Sequence, residues 1–503
     1  MKIISAIQTQ ALDKYTITHE PISSINLMER ASKRFAIWLI KRFDLRNKPN
    51  KKIFIFAGVG NNGGDGLAVA RILQTQGITV MVYSVRFSPK VSEDFKINED
   101  KLLENGTINK IHNKIDIPNI PDNSLVIDAI FGSGLSRPLK GIAAAVVEKI
   151  NSSKTYVVSI DIPSGLYCDA LNEDIVKIKA DEVLSFQLPK LAFLMPEHED
   201  YIGNWEIVDI GLHPEGIAST KTNYFYLNKS EIKKMVKPRK RFSHKGTYGH
   251  TLVIAGSKGK IGAAQLTLKG VLKSGAGLLT AFVPKCAYQI IQIAVPEAMC
   301  LTDKAEEILS EFPNTASYKT VAVGPGIGME ELTQAMLPQL LSNFDKPMVL
   351  DADALNILAT NPELLKKIPA KSILTPHPKE FERFVGSSKN SIERWEKLQA
   401  FCKKWNVITL LKGAYTAICN ENGVIYFNST GNPGMATGGS GDVLTGVIAG
   451  LLSSGYSSFD AARLGVYLHG LAGDKAAEVT GETALSAGDI AAYLGKAFKE
   501  FEE

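Results

Sequence analysis

The segment KKIFIFAGVGNNGGDGLAVARILQTQGITVMVYSV, residues 51–85, decides the fold of the first half of the chain. The apolar run Ile53–Ala57 predicts a buried strand, and a glycine-rich loop follows it directly. Apolar side chains then recur at helical spacing up to Leu73, Gly77 suits the end of that helix, and residues 78–85 predict a second strand. A strand, a helix and a strand in this order form a βαβ unit, which requires a parallel sheet covered by helices.

The same pattern continues along the chain and then starts again. Short buried-strand patterns at 125–130 and 157–162 each end in a polar or glycine loop, which predicts a doubly wound, Rossmann-like α/β domain. The pattern lapses around 212–249, and a second α/β series follows. Because 503 residues exceed what one core usually organises, we predict two different domains, 1–218 and 225–500, with a boundary near residue 220. The basic run 233–250 is most simply a solvated connector, with a phosphate-attracting patch as the alternative.

Composition excludes several classes of protein. The chain is 45% apolar and 22% charged, as in an ordinary globular protein, and its formal charge of +5 is the small difference between 57 basic and 52 acidic residues. A nucleic-acid partner is therefore not expected.

The five cysteines are scattered and form no C-x-x-C pair, which fits a reducing compartment and not a zinc cluster. The first residues turn polar too early for a secretory signal, and the apolar stretch 443–452 is too short to span a bilayer. We predict a cytoplasmic protein with no membrane partner.

The loop that follows the first strand satisfies G-x-G-x-x-G from Gly58 to Gly63. A dinucleotide site of this kind needs an acidic residue about twenty positions later, which binds the ribose hydroxyls. Here that stretch reads VMVYSVRF, residues 80–87, and offers Arg86 without a carboxylate. An ordinary dehydrogenase site is therefore not expected.

Polar side chains follow three of the predicted strands. They are Asn61, Asn62 and Asp65, then Asp128, then Asp161 with Ser164. The carboxyl ends of parallel strands are where open α/β sheets bind their ligands, and these oxygen donors could coordinate a hard monovalent or divalent cation. A carboxylate among them could move a proton. Each aspartate alone could also cap a helix or tighten a turn, but three such loops at one sheet edge favour a functional site.

Four motifs in order, GVGNNGGDGLAVAR, VIDAIFGSGLSRPL, SIDIPSGL and ADEVLSFQLPKLAF, resemble the NAD(P)H-hydrate epimerase family over about residues 1–215. The resemblance implies a bound potassium ion with Asn62, Asp128 and Ser164 as ligands, and Asp161 as the acid or base. It implies that the damaged nucleotide is bound by Asn61, Asn62, Gly63, Gly64, Asp65, Gly132, Ser133, Gly134, Leu135, Ser136, Arg137, Pro138 and Asp161. Tyr167 stands where the family often has an aspartate, which loosens the match beyond this loop.

In the second half, NPGMATGGSGDVLTG, residues 432–446, contains five glycines, four of which precede an apolar stretch. Glycines let backbone N–H groups approach an anion closely, and the helix predicted at 443–452 directs its positive dipole end at that charge. We predict that Gly438–Gly441 form a phosphate-binding loop and that Asp442, beside the phosphate, deprotonates a substrate hydroxyl for phosphoryl transfer. The alternative is a plain helix N-cap at Asp442. No G-x-x-x-x-G-K-[ST] motif occurs, so this is not a P-loop enzyme.

The G-S-G-D arrangement resembles the ribokinase-like superfamily. More narrowly, HKGTYGHTLVIAGSKGKIGAA, VGPGIG, TPHPKE, LLKGAYT and NPGMATGGSGD resemble the ADP- or ATP-dependent NAD(P)H-hydrate dehydratase family over about residues 225–495. This resemblance implies an ADP or ATP co-substrate, with ADP favoured, and magnesium carried with it. It implies hydrate contacts at Ala263, Gly328, His377 and Asp442, and nucleotide contacts at Lys412, Gly413, Ala414, Tyr415, Thr416, Gly438, Gly439, Ser440 and Gly441. The segment SKGKIGAA, which contains Ala263, departs mildly from the family pattern. The alternative for Lys412 is a surface lysine after a strand, and the alternative for His377 is a buried turn histidine.

Together the two resemblances predict a bifunctional enzyme that repairs hydrated NADH and NADPH. The first domain would interconvert the two epimers of the hydrate, and the second would dehydrate it at the expense of a nucleotide. The alternative is a kinase of a small alcohol or vitamin precursor that carries a non-catalytic ligand-binding module at its N-terminus. We also expect the chain to form a homo-oligomer.

Overall fold

A computed structural model describes residues 1–172 and 176–502 of the chain. The chain divides into two compact units. The N-terminal unit spans Lys2–Thr222, and the C-terminal unit runs from Asn223 onward and includes Met1.

The N-terminal unit alternates strands and helices. Its helices are α1 (Ala6–His19), α2 (Ser24–Phe43), α3 (Asn61–Thr75), α4 (Glu93–Leu103), α5 (Gly141–Asn151), α6 (Glu199–Ile202) and α7 (Pro214–Ser219). Its strands are β1 (Ile53–Ala57), β2 (Met81–Val85), β3 (Asn109–Ile111), β4 (Leu125–Ala129), β5 (Tyr156–Ile160), β6 (Glu182–Phe186) and β7 (Asn204–Val208).

These strands form one parallel sheet in the order β3-β2-β1-β4-β5-β6-β7. The predicted doubly wound α/β fold is confirmed, and three of its strands differ from the predicted ranges by one to three residues at their ends. β2 begins at Met81 rather than at residue 78, because the Ile78 amide still donates to the Leu73 carbonyl at 3.0 Å and so closes the end of α3. β5 ends at Ile160 because Asp161 has a left-handed backbone with φ +65°. The strand order reverses between β1 and β4, which is the ligand-binding point of such sheets.

The glycine loop between β1 and α3 is fixed by packing. A methyl group at Gly63 would overlap the backbone carbonyl oxygen of Gly58, whereas one at Gly60 meets nothing within 4 Å. Because a backbone atom cannot yield as a flexible side chain can, the helix start can approach the strand end only if residue 63 is glycine.

We expect the Gly63→Ala substitution to destabilise the N-terminal unit by about 1–3 kcal/mol, because the added methyl group forces the start of α3 away from β1. The measurement is the free energy of unfolding in urea. Gly60→Ala is the matched control and should cost much less, since its methyl group enters open space at a φ of −97° that alanine adopts freely. Equal losses in the two variants would contradict this account of the loop.

The C-terminal unit is larger and contains the remaining helices and strands. Its helices are α8 (Lys229–Met235), α9 (Ile261–Lys273), α10 (Tyr288–Ala294), α11 (Glu331–Asn343), α12 (Ala352–Thr360), α13 (Pro378–Val385), α14 (Ser391–Trp405), α15 (Ser440–Ser453), α16 (Ser458–Thr480) and α17 (Ala487–Lys499). Its strands are β8 (Tyr224–Tyr226), β9 (His250–Ile254), β10 (Leu278–Val283), β11 (Met299–Thr302), β12 (Thr320–Val323), β13 (Val349–Leu350), β14 (Ile373–Leu374), β15 (Ile408–Leu411), β16 (Ala417–Cys419) and β17 (Ile425–Phe427).

These strands form one sheet in the order β11-β10-β9-β12-β13-β14-β15-β16-β17-β8. The strands from β11 to β15 are parallel, so their carboxyl ends share one edge. Beyond β15, β16 alone runs antiparallel to its neighbours β15 and β17, and β17 pairs parallel with β8. Helix α15 is buried from Val443 to Ser453, as the apolar stretch predicted, and it lies close against α9. A methyl group at Gly446 would overlap the carbonyl oxygen of Thr267, so glycine is what permits this approach.

Across residues 1–172 and 176–502, no helix combines the length and the apolar character needed to cross a bilayer.

Candidate functional sites

Asp128, near the end of β4, anchors the first candidate site. Its fully buried carboxylate accepts four hydrogen bonds: Oδ1 from the Ile130 amide at 3.2 Å and the Ser164 hydroxyl at 2.6 Å, and Oδ2 from the Ser159 hydroxyl and the Ser164 amide, both at 2.8 Å. Burial raises the pKa of Asp128, and the hydrogen bonds oppose that rise. The carboxylate therefore ties the loop after β5 to the loop after β4.

Asn62, in the first turn of α3, joins the same network. Its side-chain amide donates to the Phe131 carbonyl at 2.9 Å, and the Phe131 amide donates to the Ser164 hydroxyl at 2.8 Å. The three residues that the resemblance implied as potassium ligands, Asn62, Asp128 and Ser164, thus come together around Phe131. One carboxylate with amide, hydroxyl and carbonyl oxygens is a donor set that fits a hard cation of low charge.

Asp161, directly after β5, occupies a strained position. Its φ of +65° lies in the left-handed region, which non-glycine residues seldom adopt and which often marks functional sites. Its Oδ1 accepts from the Ser185 hydroxyl at 3.2 Å and the Phe186 amide at 3.1 Å, and lies 3.0 Å from the Lys190 ammonium. Three partners therefore hold this carboxylate, and two of them belong to β6.

The other residues predicted for the first site lie around these groups. Asn61 is exposed at the start of α3, while Gly63 and Gly64 are buried behind it. The loop Gly132–Pro138 begins beside Asn62, since a methyl group at Gly132 would lie 3.1 Å from the Asn62 Cβ. Asp65 accepts from the Ser32 hydroxyl of α2 at 3.0 Å, and burial raises its pKa well above the usual value.

Arg86, which stands where a dinucleotide site would have a carboxylate, forms an ion pair with Glu99 of α4. Both side chains are mostly buried. The residue is therefore part of the packing between β2 and α4.

The second candidate site lies at the N-terminus of α15. Gly439 is the N-cap, with a left-handed φ of +90°, and Ser440 and Gly441 already belong to the first helical turn. The loop is thus shorter than the predicted Gly438–Gly441. Asp442 also lies within the first turn, so its interpretation as a plain N-cap is wrong. Burial raises the pKa of Asp442 to about 7; the nearby charges of Asp351 and Asp353 raise it too, and Lys412 opposes them.

Lys412, directly after β15, lies beside this helix start. Its ammonium is 3.2 Å from Oδ1 of Asp351, whose Oδ2 accepts from the Thr445 hydroxyl at 2.7 Å. A methyl group at Gly441 would lie 3.3 Å from the Lys412 ammonium. The lysine is therefore held at the glycine loop, and the alternative of an unattached surface lysine is wrong.

Segment Lys412–Thr416 forms a tight turn after β15. The Thr416 hydroxyl donates to the Gly413 carbonyl at 3.1 Å, and the Asn428 amide donates to the Thr416 carbonyl at 3.0 Å. Ala414 and Tyr415 lie inside this turn. The turn thus begins at the same sheet edge as the glycine loop.

His469, on α16, is a buried neighbour of the glycine loop that the sequence analysis missed. Burial lowers the pKa of His469 to about 4, against an opposing hydrogen bond to the Ser440 backbone. The ring is therefore neutral at pH 7. Its Nε2 has no hydrogen-bond partner within the part of the chain that the structure describes.

A third group of predicted residues lies beside α9 and α12. Oδ2 of Asp353 accepts from the Gly328 amide at 2.9 Å, and the Lys260 ammonium lies 3.7 Å from it. A methyl group at Gly326 would lie 3.2 Å from the Ala263 Cβ, so Ala263 and the Gly328 loop are neighbours.

His377 is the N-cap of α13. Its Nδ1 accepts from the Glu380 amide at 3.3 Å, and the Glu380 carboxylate accepts from the His377 amide at 2.8 Å. The side chain is 46% exposed, so the alternative of a buried turn histidine is wrong. Its Nε2 lies 3.5 Å from Oε1 of Glu380, so both ring nitrogens are close to this one residue.

Comparison with known proteins matches both units. Residues 24–192 match the family described as YjeF-related protein N-terminus, and residues 251–495 match the family described as NAD(P)H-hydrate dehydratase. The bifunctional NAD(P)H-hydrate repair enzyme Nnr of Moorella thermoacetica is 36% identical, over 100% of this chain and 98% of its own length. That of Thermofilum pendens is 34% identical over 100% and 97%. Among solved structures, a ribokinase-like superfamily protein from Enterococcus faecalis V583 matches with a TM-score of 0.50 and 25% identity, over 56% of this chain and 99% of that chain.

Proposed function

The chain belongs to the family of bifunctional NAD(P)H-hydrate repair enzymes, and from this premise we propose which residues of each unit perform the repair. In the hydrate, water has added to the nicotinamide ring, and the ring carbon beside the nitrogen carries the hydroxyl group. The N-terminal unit interconverts the two epimers at that carbon. The C-terminal unit then removes the water with the help of a nucleotide and restores the reduced cofactor.

The observation that carries the second activity is the position of Asp442. It lies in the first turn of α15, behind a glycine N-cap and close enough to Lys412 and Asp351 for their charges to shift its pKa. Free backbone N–H groups and a helix dipole favour phosphate at this point, and the carboxylate beside them suits a base.

The chemistry of dehydration follows from this arrangement. Asp442 takes the proton of the hydrate's hydroxyl group as its oxygen attacks the terminal phosphorus of the nucleotide. The Lys412 ammonium and the N–H groups at 438–441 stabilise the charge on the transferred phosphoryl group. The phosphorylated carbon then loses phosphate, the neighbouring ring carbon loses a proton, and the C=C bond of the reduced ring is restored. Phosphorylation thus converts a poor leaving group into a good one.

The nucleotide is ADP or ATP, and magnesium neutralises its phosphates. We expect the ion to arrive with the nucleotide, since residues 1–172 and 176–502 contain no group of three or more His, Cys, Asp or Glu side chains placed to hold a metal ion. The turn Lys412–Thr416 contacts the nucleotide, and Ala263, Gly328 and His377 contact the hydrate.

In the N-terminal unit, Asp161 is the acid or base of epimerisation. The residues Asn61–Asp65 and Gly132–Pro138 bind the hydrate around it. Support comes from its strained turn at the carboxyl edge of the sheet and from the three groups that fix its carboxylate.

The potassium ligands in this unit are Asn62, Asp128 and Ser164. We expect epimerisation to rise with KCl to saturation while an equal concentration of a large organic cation has little effect. Asn62→Ala should raise the potassium concentration for half-maximal rate about tenfold or more, because it removes one oxygen ligand. An unchanged potassium response in this variant would exclude Asn62 as a ligand.

One experiment tests the function as a whole. The purified chain is incubated with a mixture of the two epimers of hydrated NADH, with ADP or ATP and magnesium, and the return of the reduced-ring absorbance is followed. Conversion of both epimers to reduced cofactor requires the epimerase and the dehydratase activities. A chain that has only the dehydratase activity converts one epimer and leaves the other. The small-alcohol kinase is excluded if reduced cofactor forms without accumulation of a phosphorylated alcohol. Light scattering on the same preparation tests the expected homo-oligomer.

A further inference from the structure

Lys190 is a buried cation beside the epimerase site. Its side chain is 2% exposed, and its ammonium lies 3.0 Å from Asp161 and within 3.4 Å of the carbonyl oxygens of Phe186 and Leu188. A buried ammonium is costly unless it is paired, and burial alone would lower the pKa of Lys190. The charge of Asp161 and its hydrogen bond to the ammonium oppose that effect, and the pKa of Lys190 is raised overall, so the lysine stays charged. A fixed positive charge therefore touches the carboxylate that we assign to catalysis.

A second carboxyl group, that of Asp13, shares this environment from helix α1. Burial raises the pKa of Asp13 to about 6; the charge of Lys190 opposes that rise, and the charge of Asp161 adds to it. Asp13 is thus an acid that keeps part of its protons near neutral pH. Its side chain is half-buried, so exchange of that proton with solvent remains open.

Helix α1 also reaches the loop that binds the hydrate. A methyl group at Gly134 would lie 3.5 Å from Nε2 of Gln10. Gln10 and Asp13 are three residues apart and therefore share a face of the helix. The next turn of the same face is fixed within the unit, since Thr16, three residues beyond Asp13, is buried and its hydroxyl accepts from the His213 amide at 3.0 Å. The face with Asp13 is thus next to the substrate loop.

Asp65 completes the set of charged groups around Asp13. Burial raises its pKa well above the usual value, and the charges of Asp161, Asp13 and Asp94 add to that rise. Three carboxyl groups, those of Asp13, Asp65 and Asp161, are therefore close enough for their charges to act on one another. They cannot all be ionised at low cost, so the site holds at least one proton beside a carboxylate. Of the three, Asp161 is the one that contacts the ammonium.

Epimerisation needs both states of a carboxyl group. The lone pair of the ring nitrogen forms a C=N bond as the C–O bond breaks, and the departing hydroxide takes a proton from an acid to leave as water. A water molecule then adds to the other face of the same carbon and gives its proton to a base. One proton enters and one leaves, so the reaction is balanced without any other reactant.

We infer that Asp13 and Lys190 complete the acid–base groups of the epimerase: Asp13 supplies the proton that the departing hydroxide takes, and Lys190 is a positioning residue that holds Asp161 as the carboxylate. This inference rests on the proposed epimerase function of the N-terminal unit. The proton returns from Asp161 to Asp13 through solvent between turnovers.

The test is Asp13→Asn, which keeps the shape of the side chain and removes its proton. We expect kcat for epimerisation to fall by a factor on the order of 10² or more, with KM changed less than about threefold. In the parent, kcat/KM should decrease as pH rises above about 6, where Asp13 loses its proton, and this decrease should be absent in the variant. The dehydratase rate of the same chain, assayed with the epimer it accepts, should not change.

Asp169→Asn is the matched control, because Asp169 accepts from the Ala6 amide at 3.0 Å and so fixes the start of α1 without facing the ammonium. If α1 matters only as structure, the two variants should lose activity alike, and the inference fails. Lys190→Met should lower kcat for epimerisation more than it raises KM, since the Asp161 carboxylate loses the cation that positions it. A parent chain that does not interconvert the epimers overturns the proposed function instead, whereas an active parent with an equally active Asp13→Asn variant overturns only this inference.

Discussion

Replacing Asp442 with asparagine should lower the dehydratase kcat by a factor of about 10²–10⁴, the usual contribution of a positioned base. The substitution keeps the size of the side chain at the first turn of α15 and leaves the glycine N-cap and its N–H groups in place. Phosphate binding should therefore survive, and only the deprotonation of the hydrate should fail. The measurement is the return of reduced-ring absorbance at saturating nucleotide, with nucleotide affinity measured separately by calorimetry.

The pH dependence gives this prediction a second readout. A base must be ionised to act, and burial raises the pKa of Asp442 to about 7. In the parent chain kcat/KM for dehydration should therefore rise with pH through about 7 and level off above it. In the Asp442→Asn variant this rise should disappear. Residual activity with the parent's pH profile would mean that another group takes the proton.

Lys412 and Thr445 show why the second site could be predicted only in part. The glycine loop, Asp442 and the helix behind it are adjacent in sequence, so local pattern was enough to place them together. Asp351 and Lys412 are 61 residues apart, and only the parallel order of β13, β14 and β15 brings them to one edge. A signal was present even so: Asp351 follows a buried strand, and Thr445 is three residues after Asp442 on the same helix face.

His469 was beyond the reach of the sequence. A histidine within a long apolar helix has the pattern of a core residue, and its place beside Ser440 depends on how α16 packs against α15. The length of the glycine loop was likewise misjudged, because Ser440 and Gly441 adopt helical geometry once Gly439 takes the left-handed turn. Glycine has a low intrinsic helix propensity, but the free energy gained by burying the apolar side chains of α15 outweighs this cost.

The first site shows the same division between local and tertiary information. The loops that carry Asn62, Asp128 and Asp161 were placed correctly at one edge, because strand order follows from alternating strands and helices. Lys190 was not foreseen, since a lysine after proline in a loop is usually solvated. Its burial follows from the ion pair with Asp161, which no local pattern indicates.

Asp161→Asn should lower kcat for epimerisation by a factor of about 10²–10⁴, as Asp442→Asn does for dehydration. The substitution removes the carboxylate, while the groups that hold it, Ser185, Phe186 and Lys190, remain in place. The difficulty is that this substitution also leaves the buried Lys190 ammonium without its counter-charge, which can destabilise a protein by about 3–5 kcal/mol. Loss of activity alone would therefore not separate chemistry from folding.

The double variant Asp161→Asn/Lys190→Met resolves this, since it removes both charges of the buried pair. We expect the free energy of unfolding of the N-terminal unit to recover toward the parent value while epimerisation stays as slow as in the single variant. The dehydratase activity of the same chain provides the internal control, because Asp442 and its neighbours belong to the other compact unit. If epimerisation recovered together with stability, Asp161 would be a structural partner of Lys190, and the proton would have to be carried by one of the other carboxyl groups at this edge of the sheet.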